Sequence, residues 1–185
     1  MRYEIFDKHT AENGQQQAAQ KAEKVRREKS YHNIDSAQSI GLLFDSTVQA
    51  NYFAARRFIT GLAETGKNVD ALGMVLNEEM LHYYTPCPNI RLFSLEKITF
   101  FGYPANNEVE KFIATDYDIL INICTEENLC IDYVMGMSRA KFKVSIKYKD
   151  HDYADFALEF KDNRVPETEE LINRIKQYLS AISKK

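Results

Sequence analysis

The densest run of chemically capable side chains is Asp45-Ser46-Thr47, which directly follows the apolar stretch at 40–44. A hydroxyl pair at the start of a helix, backed by unused backbone N–H groups, can receive a phosphate or another small anionic ligand. The same residues have a simpler reading. Ser46 caps the next helix, Gln49 three places on completes a capping box, and Asp45 balances the helix dipole. Capping is favoured, because the loop has no glycine to let a pyrophosphate approach the backbone. Neither GxGxxG nor GxxxxGK followed by Ser or Thr occurs, and Gly66-Lys67 ends a helical pattern instead of opening one. These residues argue against a dinucleotide or P-loop site.

Open parallel sheets bind ligands beyond the carboxyl ends of their strands. That rule adds Asn77 after the second strand, Tyr103 after the third and Thr125 after the fourth to the candidate ligand contacts. A phospho-receiver site needs an Asp after the third strand, where Gly102-Tyr103-Pro104 stands instead, so that chemistry is excluded. His9, His32, His82 and His151 are too scattered for a metal pair. His82, with Tyr83, Tyr84 and Cys87, falls in a connection best read as packed by its aromatics. Cys124 ends a strand without a base beside it and reads as an inert buried thiol. No catalytic set, metal or cofactor is expected.

The elements that would position these groups alternate between strand and helix. Apolar runs at 40–44 and 117–123 mark strands buried on both faces. Val48, Tyr52, Ala55, Phe58, Ile59 and Leu62 recur at helical spacing up to Gly66, and 69–76 reads as the next strand. Further strands are expected at 90–93 (short), 98–101 (stronger), 140–146 and 155–160. Alternating basic residues put 140–146 nearer the sheet edge. Helices are expected at 106–114, at 126–137 capped by Thr125, and after Pro166, which suits a first helical turn. The fold class is α/β: one three-layer Rossmann-like or flavodoxin-like domain over 39–185, with a mostly parallel sheet of five or six strands. Residues 1–38 form an N-terminal helical arm. Its stripe of Ala18, Ala22 and Val25 is too thin for a core helix, so the arm reads as exposed or semi-ordered.

With 185 residues, 44% hydrophobic and 28% charged, the chain can build a real core. A net charge of -3 gives no general reason to expect nucleic acid, and the basic stretch at 21–29 reads as a solvated helix face. No window is long and apolar enough for a transmembrane segment, no signal peptide is evident, and three cysteines without a CxxC pair suit a reducing compartment. A cytoplasmic location is the expectation.

IGLLFDST at 40–47, YDILINI at 117–123 and SRAKFKVSI at 138–146 resemble an uncharacterised domain family associated with Bacteroidetes. The resemblance spans roughly 38–182, implies the α/β fold, and carries no established activity. Ser145 stands where that pattern often has Gly. The segment from YDILINI to FKVSI is also similar, more faintly, to the N-terminal domain of heptosyltransferase-type glycosyltransferases. Two functions follow as expectations. The first is a non-catalytic binding or protein-interaction module, self-associating or meeting a partner through its N-terminal helix or a sheet edge. The alternative is a nucleotide- or sugar-nucleotide-binding enzyme or enzyme remnant, contacting its ligand through Asp45, Ser46 and Thr47.

Overall fold

The computed structural model describes residues 16–99, 102–147, 153–160 and 164–182. Six strands form one sheet in the order β3-β2-β1-β4-β5-β6, and every pair is parallel. They are β1 (Ser39–Asp45), β2 (Asn68–Val75), β3 (Ile90–Ser94), β4 (Ile119–Asn122), β5 (Phe142–Ile146) and β6 (Phe156–Leu158). This order decides between the two expected windings in favour of the Rossmann type. It also places the reversal of strand order between β1 and β4.

Helices cover both faces, as buried parallel strands require. On one side α1 (Gln49–Glu64) and α4 (Thr168–Ala181) pack Tyr52, Ile59, Leu171 and Ile175 against Leu42, Phe44, Ile121 and Val144. On the other, α2 (Asn107–Ala114) and α3 (Leu129–Met137) pack Phe112, Ile131 and Val134 against Leu43, Leu72 and Leu120. Close packing is built into the glycines. A Cβ at Gly73 of β2 would come within 2.6 Å of Phe44, Leu92 and Ser46.

Two expectations are corrected. The third strand is Ile90–Ser94, not 98–101: Ile98 makes only an isolated bridge to Pro104, and Phe100 and Phe101 lie outside the described residues. Tyr103 therefore follows a turn, not a strand. The alternating strand β5 lies near the sheet edge, one strand in from it. β6 lies beyond it, and Lys143 on its polar face is only 3% exposed. Over that face Lys143 meets Gly136 O of α3, with Arg27 of the arm close by.

The arm is also more ordered than its thin stripe suggested. Residues 16–22 are helical, Ala18 is buried, and Ala22 meets Gly136 of α3 at a distance where a Cβ on the glycine would stand 3.1 Å from it. Lys21 places its ammonium 4.8 Å from the centre of the Tyr103 ring. Further on, Arg27 donates to the carbonyls of Ala140 and Lys141 and makes a two-pronged ion pair with Asp155. The chain then passes the amino ends of the strands, where Lys67 donates to the carbonyls of Asp35 and Ala37. It reaches the end of α4, where Asn33 Nδ2 donates to Ile182 O. Small side chains and one buried guanidinium do the work that an apolar stripe would do in an ordinary core helix. The N-terminal residues 1–15, with His9, lie outside the described residues.

Candidate functional site

The rule for parallel sheets points to the crevice beyond β1 and β4, and the ends of both strands carry polar groups there. Asp45 closes β1. Its Oδ1 accepts a hydrogen bond from Thr47 N at 2.7 Å, the short-range bond of an Asx turn. Burial pushes the Asp45 carboxyl above its ordinary value; the Thr47 bonds oppose this, and nearby Glu126 adds to it.

Ser46 does not cap α1, contrary to the expected box with Gln49. The helix begins at Gln49 with Val48 at the N-cap, and no side chain caps it. The reason lies in the strand. Ser46 N still donates to Met74 O of β2 at 2.8 Å, which keeps Ser46 extended and turns its side chain onto the α1 face with Phe44. There its Oγ is fully buried and lacks a hydrogen-bond partner. Tyr84 covers the spot: its hydroxyl donates to Ser46 O, and its ring stacks on Tyr52 with centroids 4.2 Å apart. Asp45 and Ser46, adjacent in sequence, thus face opposite sides of the sheet.

At the end of β4, Asn122 is buried and its Oδ1 accepts from Cys124 N at 2.9 Å. The Cys124 thiol is buried too. Burial first, then the Asp45 and Asp132 carboxyls, raise its pKa well above a free thiol's, so it is a poor nucleophile. Thr125, expected to cap the following helix, does not. Asn128 does, accepting from the backbone of Cys130 and Ile131, and Glu126 and Glu127 consequently precede α3 instead of filling its first turn. An Asn side chain reaches the second and third N–H groups as well as a Thr does. The α3 helix therefore starts three residues later than the sequence pattern suggested.

Asp132 was not singled out by sequence. It lies in the first turn of α3, accepts from Asn128 N at 3.2 Å, and is pushed up to about 8 by burial and then by Glu127. The same carboxyl raises Cys124, Cys130 and Tyr153, so one acid couples three neighbouring titratable groups. One acidic residue in an otherwise apolar LCIDYVMGM helix was the available signal.

The remaining candidates are dispersed. Asn77 Oδ1 accepts from Met80 N and starts the short 3-10 helix Glu79–Tyr83. Tyr103 is buried and stacked on Tyr133, with centroids 4.3 Å apart. His82 and Tyr83 are exposed. Asp45, Thr47, Cys124 and Glu126 thus share the crevice, while Ser46, Asn77 and Tyr103 serve other neighbourhoods. Among the described residues, no group of three His, Cys, Asp or Glu side chains is placed to hold a metal ion. No helix among them is long and apolar enough to cross a membrane.

Residues 11–182 match the model of DUF6913, a family of unknown function. No curated protein and no solved structure matches the chain.

Proposed function

We propose, on the premise that the chain belongs to this family, DUF6913, that it is a non-catalytic binding module that works through its surface and not through nucleotide chemistry. One observation carries the reading. At the reversal of strand order, the backbone N–H that would meet a phosphate is already taken by the Asp45 carboxyl. Glu126 stands close enough to raise that carboxyl further, and the turn contains no glycine. An incoming phosphate would meet negative charge there, not a positive cradle. In this reading Asp45, Thr47, Asn77 and Thr125 shape turns and helix starts, and Ser46 and Tyr103 belong to the packed interior. The described arm lays its small residues on its own domain, so a partner meets its charged outer side.

The test pairs two measurements on the full chain. A panel of nucleotides and sugar nucleotides is expected to leave the melting temperature unchanged. A shift that disappears in Asp45→Ala overturns the reading in favour of the nucleotide alternative. Light scattering with pull-down is the second arm, and a lone monomer without partners counts equally against it.

A further inference from the structure

The Arg27–Asp155 clamp holds the preceding arm residues against the C-terminal ends of α2 and α3. Between them runs an open groove of about 500 Å³. Lys24, Val25 and Arg26 line it from the arm, and Ile113, Met137 and Arg139 from the domain. The apolar members Val25, Ile113 and Met137 are half-buried, whereas the three cations are exposed. The lining is therefore apolar inside and positive outside.

The positive charge exceeds what the fold uses. Two helices end at this groove, and their free carbonyls favour cations. Arg139 meets that demand: its Nη2 donates to Ala114 O at 2.6 Å and its Nε pairs with Asp116 at 3.1 Å. Lys24 and Arg26 are different. Neither side chain makes a hydrogen bond or ion pair among the described residues. Two uncompensated cations beside half-buried apolar side chains form a surface complementary to carboxylates flanking an apolar residue.

We propose that this groove docks an acidic segment of a partner protein. The segment places one apolar side chain among Val25, Ile113 and Met137 and presents carboxylates to Lys24 and Arg26. The proposal rests on the reading of the chain as a binding module. A nucleic acid is the weaker fit, because the lining has no aromatic ring for a base to stack on. An anionic membrane is weaker as well, since the apolar groups are recessed instead of protruding.

The test is selection of short random peptides, displayed on phage, against the full chain. Binders are expected to be enriched in Asp and Glu around one apolar residue and to release as salt rises. Their affinity for a Lys24→Glu/Arg26→Glu variant should fall at least about tenfold, with no change for Lys176→Glu on the exposed side of α4. Binders without acidic enrichment, or indifferent to the double reversal, overturn the groove while leaving the binding-module reading intact. Retention of single-stranded RNA or phosphatidylserine vesicles through Lys24 and Arg26, in place of peptides, overturns the choice of partner. If no peptide is enriched, the groove fails as a peptide site. The broader reading fails only if light scattering and pull-down also return a lone monomer.

Discussion

Replacing Lys143 with Met removes a buried amine from β5 at nearly constant volume. The lysine is 3% exposed, and its Nζ donates to Gly136 O in the last turn of α3 at 3.1 Å. Burial, and then the Arg27 charge, lower its pKa to about 7, with Asp155 opposing. An amine that falls from an ordinary value near 10.5 to about 7 disfavours the folded state by roughly 4 kcal/mol at neutral pH. The unfolded chain binds the extra proton between about pH 7 and about pH 10.5, so wild-type stability should rise with pH across that window. Below it, the penalty is constant. Methionine escapes the penalty but forfeits the bond to Gly136 O, worth about 1 kcal/mol. The variant should therefore be more stable than wild type by roughly 1–3 kcal/mol at pH 7, with the gap shrinking towards pH 10. Urea unfolding at a series of pH values measures both quantities. A variant less stable than wild type at pH 7 would refute the reasoning, and would mean that the ammonium is welcomed by the α3 terminus. A gap that does not change with pH would refute it too.

Other substitutions probe the remaining buried polar groups. Arg27→Ala leaves Asp155 beneath the arm without its main partner and should cost about 3 kcal/mol, read by urea unfolding, with protease cutting first within 16–30. Burial pushes Asp155 up, but Arg27, the Lys143 N–H and Lys29 hold it below the usual carboxylate range. Its contribution is therefore present above about pH 4 and lost as pH falls through the lower folded value, and acid unfolding of Arg27→Ala should show a correspondingly shallower slope. Ser46→Ala removes an unpartnered hydroxyl and should be neutral or stabilising by up to about 1 kcal/mol in thermal unfolding; a clear loss would reveal a partner for Ser46. Gly73→Ala forces a methyl into space already taken and should destabilise by about 2 kcal/mol. In the native protein, iodoacetamide should modify half-buried Cys87 well before Cys124 or Cys130, as mass spectrometry of the digested protein would report.

The long-range architecture was legible where burial on both faces leaves a continuous apolar run, as at Leu42, Leu43 and Phe44 or Ile119, Leu120 and Ile121. Strand order was not, because it depends on pairings between distant segments that share the same composition. Helix starts were misplaced where several residues can cap. Thr125 and Asn128 are both competent, and the geometry of the turn after β4 selects the second. Ser46 misled for a related reason, since its backbone stays in the sheet and carries the hydroxyl inward. At the crevice, Asp45 was visible as a polar residue ending an apolar strand. Asp132 was hidden, because a single acid in a helical pattern ordinarily faces water, whereas this one is desolvated beside Cys124, Cys130 and Tyr153. The arm itself was misjudged. An apolar stripe measures how much a helix buries, but says nothing of an arginine that finds a carboxylate far along the chain.

That arginine also sets an order of events. Arg27 lies 128 residues before Asp155 and 113 before Ala140. During synthesis the arm emerges early, yet its docking surface comes into being only when α3, β5 and β6 have formed. Contacts closing so large a loop are made late, after the sheet has paid the entropy of assembling. Arm substitutions should therefore leave the folding rate nearly unchanged and speed unfolding instead. A segment made before the surface it docks on thus sets how slowly the finished fold comes apart.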